Sequence, residues 1–429
     1  MTRILCCAAL TLVAAGACSP GGAKHETDAW QATVDTIGDT VVVHTVGGSV
    51  WGDTLDLVPE MTIGVFEGDE QYMFGDIGAF VVSATEDVYI LDDQAPILRQ
   101  YAGDGTHIRD IGRDGGGPGE YKRPGSLALL PDGRLLLRDP GNARINVYAP
   151  DGEILTSWRL PSGGGFNTSR RMYVDGTGNS YTMVLLEADV AIVEWTYGLA
   201  RFTPAGEHTD TLAVPAWDYQ AKVVTAQREN SSSTSRVPFT ASRQWTFSPL
   251  GYFVGGVSDA YRIDLVRPDQ PRLRIERDWQ PAPVLAAEKA ERERRIIENF
   301  KRNYGSWHWN GPSIPDTKPA YSDITIDEEG RLWVQIPQTA YAYRTQAEAD
   351  EEEARTGRPA GRYRERVVYD VFEPRGGFLG TVRAPDDFRA YPELTARGTS
   401  VWAVTRDAFD VARLVRFVLT PMPSARATD

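Results

Sequence analysis

The sequence predicts an all-β fold, a six-bladed β-propeller with a short helical insertion between blades 4 and 5. The first observation is an internal repeat, in which residues 61–111 align with residues 108–158 at a shift of 47 positions. The shift places Asp92 on Asp139 and Gly78 on Gly125. Repeats of about 40–50 residues with short apolar runs and Gly/Asp turns are typical of propellers and solenoids. One such unit cannot bury both faces of its sheet, so it needs neighbours.

The second observation is that two kinds of strand-forming segment each recur six times. A β-rich run follows a turn in VYILDD, LLLRD, SYTMV, YFVGG, RLWVQI and VWAVT. Another strand, usually followed by a turn, recurs in ILRQYAGDG, RINVYAPDG, GLARFTPAG, YRIDLVRPD, YDVFEPRGG and RLVRFVLTP. Runs rich in β-branched and aromatic residues between Asp-Gly or Pro-Asp turns indicate strands and hairpins. Six units of about four strands each predict six blades.

Three insertions interrupt the later repeats. Residues 227–238 are polar and rich in serine, which predicts a mobile loop. Residues 286–303 are charged and lack Gly and Pro, and the apolar residues there recur at helical spacing, which predicts an amphipathic helix over 284–304. Residues 345–366 carry an acidic run and then a basic run. This pattern indicates a solvated excursion from a hairpin, with a second short helix over 346–355.

The repeat register predicts that a strand near the N-terminus completes the last blade. Residues 61–65 align with residues 108–112, the outer strand between two repeat units. After residues 413–419, no further strand is left for the last blade. We therefore expect residues 61–65 to pair beside residues 413–419, with residues 41–46 close by, so that no open sheet edge remains.

The first residues predict export. One Arg, an apolar run and then small residues precede Cys18, which is the pattern of a secretory signal and too short for a spanning helix. The Ala-Gly-Ala-Cys that ends at Cys18 resembles the lipobox of bacterial lipoproteins. The resemblance implies cleavage before Cys18 and a lipid anchor on it. Ordinary cleavage near Ala17 with a free cysteine is the alternative.

The resemblance also implies a domain order and a location. Residues 1–17 would be the signal peptide, 18–39 a tether, 40–421 the propeller and 422–429 a tail. Ser19 resembles the outer-membrane sorting pattern. The protein is therefore expected in the cell envelope, anchored through lipid, on the periplasmic side of the outer membrane.

Composition narrows the classes of partner and site. All three cysteines lie in the first 18 residues, so the folded body has neither a disulfide nor a cysteine metal site. The net charge of −14 argues against a nucleic-acid partner. The hydrophobic content of 41% and the 11 tryptophans are enough for a large core.

The segment GRDGGGPGEYKRPGSLALLPDGRLLLRDPGNARINVYAPDG resembles the NHL repeat in its Gly-Pro-Gly-Glu-aromatic turn and its Asn-x-Arg-Ile. From about residue 40 to 420, the chain resembles bacterial six-bladed β-propeller lipoproteins, which are loosely similar to TolB-type and NHL-type propellers. In NHL repeats the residues at Asn142 and Arg144 hold the blade hairpin, so the resemblance implies a structural role for both. It does not specify an activity.

The chemical motifs are few. The five histidines lack ligand spacing such as His-x-x-x-His, and no G-x-S-x-G elbow occurs. The glycine-rich run from Gly115 to Gly119 precedes a strand instead of a helix, so a turn fits it better than a phosphate cradle. No cofactor is expected. A Ca²⁺ site is kept as an alternative, because propellers of the gluconolactonase and paraoxonase type gather carboxylates and amides from several blades around a central Ca²⁺ ion.

The repeat register predicts a polar ring at one mouth of the axial channel. The positions equivalent to Ser126 on the other innermost strands are Ala79, Arg171, Gln244, Asp323 and Glu393. These side chains either pair with one another and close the channel, or they line a pocket for a small ligand or peptide. Trp307, His308 and Trp309 follow the predicted helix and form either a lid over that mouth or an anchor for the helix.

These features favour a lipid-anchored envelope propeller that binds an unidentified ligand or protein partner without catalysis. One alternative is a metal-dependent lactonase or hydrolase of the calcium type with its site on the propeller axis. Another is a scaffold of an envelope complex that docks through its insertions.

A Cys18→Ser substitution tests the anchor. We expect the variant to be soluble in the periplasm or to stay unprocessed, because two acyl chains hold a protein on a membrane and none would remain. Detergent partitioning of the processed protein measures this. A processed variant that partitions into detergent like the wild type would place the anchor elsewhere.

Overall fold

The computed structural model describes residues 29–52, 54–161, 171–187, 195–229 and 231–421. Within them the chain forms 33 strands and two α-helices. Cys18 and the tail over 422–429 lie outside the described residues.

The strands are β1 (Gln31–Ile37), β2 (Thr40–Gly47), β3 (Leu55–Ile63), β4 (Ile77–Val82), β5 (Val88–Asp92), β6 (Ile97–Tyr101), β7 (His107–Ile111), β8 (Arg113–Asp114), β9 (Glu120–Tyr121), β10 (Ser126–Leu129), β11 (Leu135–Asp139), β12 (Arg144–Tyr148), β13 (Ile154–Arg159), β14 (Tyr173–Val174), β15 (Ser180–Glu187), β16 (Thr196–Phe202), β17 (His208–Ala213), β18 (Val223–Arg228), β19 (Ser231–Arg236), β20 (Arg243–Phe247), β21 (Phe253–Val257), β22 (Arg262–Val266), β23 (Arg272–Arg277), β24 (Asp323–Ile326), β25 (Leu332–Gln335), β26 (Tyr341–Ala342), β27 (Tyr363–Arg364), β28 (Val368–Phe372), β29 (Phe378–Arg383), β30 (Phe388–Arg389), β31 (Thr395–Arg397), β32 (Ser400–Arg406) and β33 (Ala412–Pro421). The helices are α1 (Ala286–Tyr304) and α2 (Gln346–Thr356).

Most strands belong to four-stranded antiparallel units, here called sheets 1 to 6. They are β4–β7, β10–β13, β14–β17, β20–β23, then β24, β25, β28 and β29, and finally β31, β32, β33 and β3. The hairpin β1–β2 extends sheet 4, with β2 parallel to β23. A short parallel pairing of β29 with β3 joins sheets 5 and 6.

Equivalent turns confirm the internal repeat. Asp139 accepts hydrogen bonds from the backbone N–H groups of Lys122 and Arg123, and Asp92 does the same for Gly75 and Asp76. In both units the carboxylate ties the end of the second strand to the turn before the first strand. The aligned aspartates are therefore structural residues.

Six hydrophobic clusters of the described residues are each shared by two consecutive sheets. They include Leu91 with Leu137, Leu136 with Ala200, Leu199 with Phe253, Ile263 with Leu332, Trp333 with Val401, and Ile90 with Leu414. The last cluster joins sheet 6 to sheet 1. A cyclic succession of sheets that pack face to face is the arrangement of a propeller.

The predicted pairing of the two ends of the chain is confirmed. β3 is the outer strand of sheet 6, where Met61 lies opposite Arg416 and Ile63 lies opposite Leu414.

The expectation for residues 41–46 is wrong, because these residues lie in β2 beside sheet 4. β1 also falls within residues 18–39, the predicted tether, and pairs along its whole length with β2. This hairpin covers the outer edge of sheet 4, which would otherwise be open.

The predicted helices are confirmed as α1 and α2. The predicted loop over 227–238 is wrong, because β18 and β19 pair with each other over most of this range. Val224 and Ala226 are buried in a cluster with Phe300 of α1, so tertiary packing outweighs the loop preference of the serines. Neither described helix is long and apolar enough to cross a membrane.

All three insertions lie on one face of the molecule. The β18–β19 hairpin and α1 follow the outer strands of sheets 3 and 4, and α2 lies between the second and third strands of sheet 5. In an antiparallel four-stranded sheet, the connection after the outer strand leaves from the end of the sheet where the innermost strand begins. The connection between the second and third strands lies at that same end. The insertions therefore surround the same mouth of the channel at which the sequence predicts the polar ring.

Two substitutions in β3 test its role in completing sheet 6. Ile63 is 1% exposed and Val58 is 45% exposed on the same strand. We expect Ile63→Ala to lower the free energy of unfolding by about 2–5 kcal/mol, and Val58→Ala by less than about 1 kcal/mol. Urea denaturation measures both. Equal losses would mean that β3 is not packed between sheets 6 and 1.

Candidate functional site

A cavity of about 390 Å³ lies where the innermost strands of the sheets converge. Every sheet contributes to its wall. The lining residues used below are Ala79, Leu129, Arg171, Tyr173, Phe247, Ile326, Glu328, Tyr391, Glu393, Thr395 and Arg397. The volume lies in the usual range of pockets that bind small ligands.

Arg171 reaches across this cavity from sheet 3 to sheet 5. Its Nη2 donates a hydrogen bond to the carbonyl oxygen of Ile326 at 3.2 Å. Its guanidinium also lies 5.8 Å from the ring centroid of Tyr173. Because the innermost strands have no partner on the channel side, their backbone groups need other partners. Arg171 satisfies one of these carbonyl groups and brings a positive charge to the axis.

The charged residues of the predicted ring gather around Tyr173. Burial raises the pKa of Tyr173 to about 12, the Arg171 charge lowers it, and the Glu393 and Asp323 charges raise it. Burial also raises the pKa of Tyr369 strongly, and the Asp323 and Glu393 charges add to that rise. The fold thus brings Arg171, Asp323 and Glu393 close together, although they are far apart in sequence.

The ring residues differ in their exposure to the cavity. Arg171 and Glu393 line it, whereas Gln244 and Asp323 are not among its lining residues. The side chain of Gln244 donates to the hydroxyl of Ser242 at 2.8 Å. Within the described residues, Arg171 and Asp323 form no ion pair with each other.

The other end of the cavity carries an ion pair that the sequence analysis missed. Arg397 donates to Glu328 at 2.9 Å, and its Nη1 reaches the carbonyl oxygen of Ser83 at 3.2 Å. Burial raises the pKa of Glu328, and the hydrogen bond from Arg397 lowers it. These residues come just after or at the end of their innermost strands. The same repeat register, extended by a few residues, could have found them.

One further carboxyl group stands at the rim. The side chain of Asp93 lies so close to Gly78, a lining residue, that a Cβ there would meet its carboxylate. Burial, together with the charges of Asp76 and Asp92, raises the pKa of Asp93 to about 6.

The two tryptophans of the predicted lid join α1 to the β18–β19 hairpin. Trp307 is buried against Phe300, and its indole N–H donates to the carbonyl oxygen of Thr225 at 3.0 Å. Trp309 packs at the edge of the same cluster and donates to the carbonyl oxygen of Pro312 at 2.9 Å. His308 is exposed. None of the three lines the cavity, and the contacts of both indoles are those expected of an anchor.

A buried ion pair fixes the insertions to the propeller. Lys318 Nζ lies 2.8 Å from a carboxylate oxygen of Glu288 on α1 and 2.8 Å from one of Glu365. It also donates to the carbonyl oxygen of Gln338 at 3.0 Å. The Lys318 and Glu288 side chains are 1% and 2% exposed. All three donors of the ammonium are satisfied, which makes such a buried charge tolerable.

Two motifs of the second repeat have structural roles. Asn142 donates to the carbonyl oxygen of Gly115 at 2.8 Å, and Arg144 donates to that of Gly117 at 2.6 Å. The glycine-rich run is therefore a turn held by these side chains. Among the described residues, no group of three or more His, Cys, Asp or Glu could hold a metal ion.

Comparison with solved structures agrees with the cyclic arrangement of the sheets. A member of the DUF4221 family from Bacteroides vulgatus is similar to this chain with a TM-score of 0.51 at 10% identity, over 86% of this chain and 98% of that one. The chain has a propeller-type fold.

Two weaker similarities have known descriptions. Virginiamycin B lyase from Staphylococcus aureus is 10% identical, with a TM-score of 0.38 over 81% of this chain and 97% of that one. Regucalcin from Agrobacterium tumefaciens, described as a calcium-binding protein, is 10% identical, with a TM-score of 0.38 over 85% and 96%. No protein-family model matches the chain, and no curated protein does.

Two neighbouring lysines test how the insertions are held. We expect Lys318→Ala to lower the free energy of unfolding by about 3–5 kcal/mol, because it leaves the Glu288 carboxylate buried without its partner. Lys289→Ala removes only an ion pair with the exposed Asp316, so we expect a loss of less than about 1 kcal/mol. Urea denaturation followed by tryptophan fluorescence distinguishes the two. Similar losses for both would refute the assigned role of Lys318.

Proposed function

We propose that this protein is a six-bladed β-propeller lipoprotein of the cell envelope that binds a small ligand in its axial cavity without catalysis. The six four-stranded sheets and the cyclic succession of their shared clusters support the blade number. The anchor on Cys18 and the periplasmic location rest on the sequence pattern alone.

The observation that carries the proposal is the cavity itself. Its walls combine apolar and polar residues, and Arg171, Tyr173 and Glu393 supply a cation, a phenol and a carboxylate within it. Donors and acceptors of opposite charge give a bound ligand a defined orientation. Arg171 is anchored through one backbone hydrogen bond, so exchanging that bond for one to a ligand requires only a local movement of its side chain.

The insertions surround the face of the propeller from which we propose that the ligand enters. α1 and α2 are joined by an ion pair of 2.8 Å between Arg294 and Glu353, and Arg302 donates to the carbonyl oxygen of Gly357 at 3.1 Å. The hairpin, the helices and their connections thus form one structure on the rim of sheets 3 to 5. A ligand that enters from this face would meet it first.

A substitution at Arg171 tests the proposal. We expect wild-type protein to bind members of a fragment library of carboxylates, phosphates and neutral aromatics, detected by saturation-transfer NMR. Arg171→Gln should weaken the hits at least about tenfold, because a charge-assisted hydrogen bond contributes about 1.5–3 kcal/mol. Arg159→Gln, at an exposed arginine on the outer strand of sheet 2, is the matched control.

The outcomes separate the candidate functions. Hits that bind Arg171→Gln as tightly as the wild type would contradict a ligand site on the axis. Turnover of lactone or ester substrates that depends on added Ca²⁺ would favour the metal-dependent hydrolase instead. Loss of binding in Arg171→Gln alone, with the melting temperature unchanged, supports the proposal.

A further inference from the structure

Two side chains of opposite charge line the axial cavity, and neither is paired with a charged side chain of the described residues. Glu393 is half-buried and forms no hydrogen bond or ion pair there. Arg171 is also half-buried, and its one hydrogen bond goes to the neutral backbone carbonyl of Ile326. By contrast, Glu328 and Arg397 pair with each other at the other end of the cavity. Charges that are partly withdrawn from water are costly unless they are paired.

Arg171 and Glu393 approach the cavity from opposite sides. Each precedes the innermost strand of its sheet by two residues, in sheet 3 and sheet 6 respectively. In the cyclic succession of shared clusters, two sheets separate sheet 3 from sheet 6 in either direction. A molecule in the cavity would therefore have the guanidinium on one side and the carboxylate on the other.

A hydroxyl group without a partner lies on the wall next to Arg171. Ser126 lines the cavity and is 3% exposed, and its Oγ forms no hydrogen bond with the described residues. Ser126 and Ala128 lie on the same face of β10, because side chains alternate along a strand. Ala128 packs in one cluster with Met172, the residue after Arg171. Buried polar side chains nearly always have a partner, and a ligand would supply one here.

Apolar and aromatic side chains provide the rest of this wall. Leu129, Tyr173 and Phe247 line the cavity, and the rings of Tyr173 and Phe247 meet edge to face with their centroids 5.9 Å apart. Such a surface fits an apolar or aromatic group of the ligand. The cavity thus offers a cation and a hydroxyl on one side, a carboxylate on the other, and an apolar wall.

We infer that the axial cavity binds a small zwitterion, an α-amino acid with an apolar side chain, whose carboxylate meets Arg171 and Ser126 and whose ammonium group meets Glu393. This inference rests on the proposed function and adds the chemical class of the ligand. A ligand with one charge would leave either the guanidinium or the carboxylate of the cavity unpaired. A zwitterion pairs both, and the net charge of −14 does not repel it as it would an anion.

The test uses four probes that share one phenyl group and differ in charge. L-Phenylalanine is the zwitterion, 3-phenylpropionate lacks the ammonium group, 2-phenylethylamine lacks the carboxylate, and 2-phenylethanol is neutral. Binding is measured by titration calorimetry at neutral pH to the wild type, Arg171→Gln, Glu393→Gln and Ser126→Ala. Glu207→Gln and Arg159→Gln are the matched controls, because both residues are exposed on the outer part of their sheets. Circular dichroism confirms that each variant is folded.

We expect L-phenylalanine to bind the wild type and both controls at least about tenfold more tightly than each of the other probes. Glu393→Gln should weaken L-phenylalanine and 2-phenylethylamine at least about tenfold and spare 3-phenylpropionate. Arg171→Gln should weaken L-phenylalanine and 3-phenylpropionate by a similar factor and spare 2-phenylethylamine. Ser126→Ala should weaken the two carboxylates about twofold to tenfold, because it removes a hydrogen bond from a neutral donor.

The comparison of probes on the wild type needs no variant and can overturn the inference by itself. It does so if L-phenylalanine fails to bind, or if it binds no more tightly than 3-phenylpropionate or 2-phenylethylamine. Binding of L-phenylalanine to a folded Glu393→Gln variant with wild-type affinity would also refute the inferred role of that carboxylate.

The two variants separate this inference from the proposed function. If 3-phenylpropionate or a library fragment requires Arg171 while Glu393→Gln binds every probe like the wild type, the axial site stands and the zwitterion is refuted. If no probe and no fragment binds Arg171→Gln more weakly than the wild type, the axial site itself is refuted, and the inference falls with it.

Discussion

The pairing of β3 (Leu55–Ile63) with β33 (Ala412–Pro421) joins segments from the two ends of the chain, and the cavity depends on it. Without β3, sheet 6 would have three strands and an open outer edge, and the cluster that contains Ile63, Ile90 and Leu414 would lose its side chains from β3. The innermost strands face one another only while neighbouring sheets stay packed. A contact on the periphery of the molecule therefore maintains the geometry on its axis.

The insertions make the two faces of the propeller chemically different. On one face the connections between strands are short turns, such as the one closed by Gly133 in a left-handed conformation (φ +85°). On the other face the hairpin, both helices and the Lys318–Glu288 pair build a raised rim. This rim carries both acidic and basic side chains, such as Glu353 of α2 and its partner Arg294 of α1.

The repeat register predicted which positions on the innermost strands lie near one another, but it did not predict the contacts that their side chains make. It placed Arg171, Asp323 and Glu393 near one another because equivalent positions on the innermost strands lie at the same height on the axis. It could not show that Gln244 turns to Ser242, or that Arg171 reaches Ile326 on sheet 5, because side-chain length and rotamer decide these contacts.

The sequence alone determined the repeat, the strands, the two helices and the pairing of β3 with β33, since these follow from hydrophobic periodicity and from a unit that cannot bury its own sheet. Tertiary structure decided where polar, locally ambiguous segments go. The serine-rich residues 231–236 became a strand because α1 offers Phe300 as a packing surface for the partner strand. The hairpin β1–β2 joined sheet 4 because an outer strand there had an open edge. In both places the deciding partner lies far along the chain, beyond the reach of any local pattern.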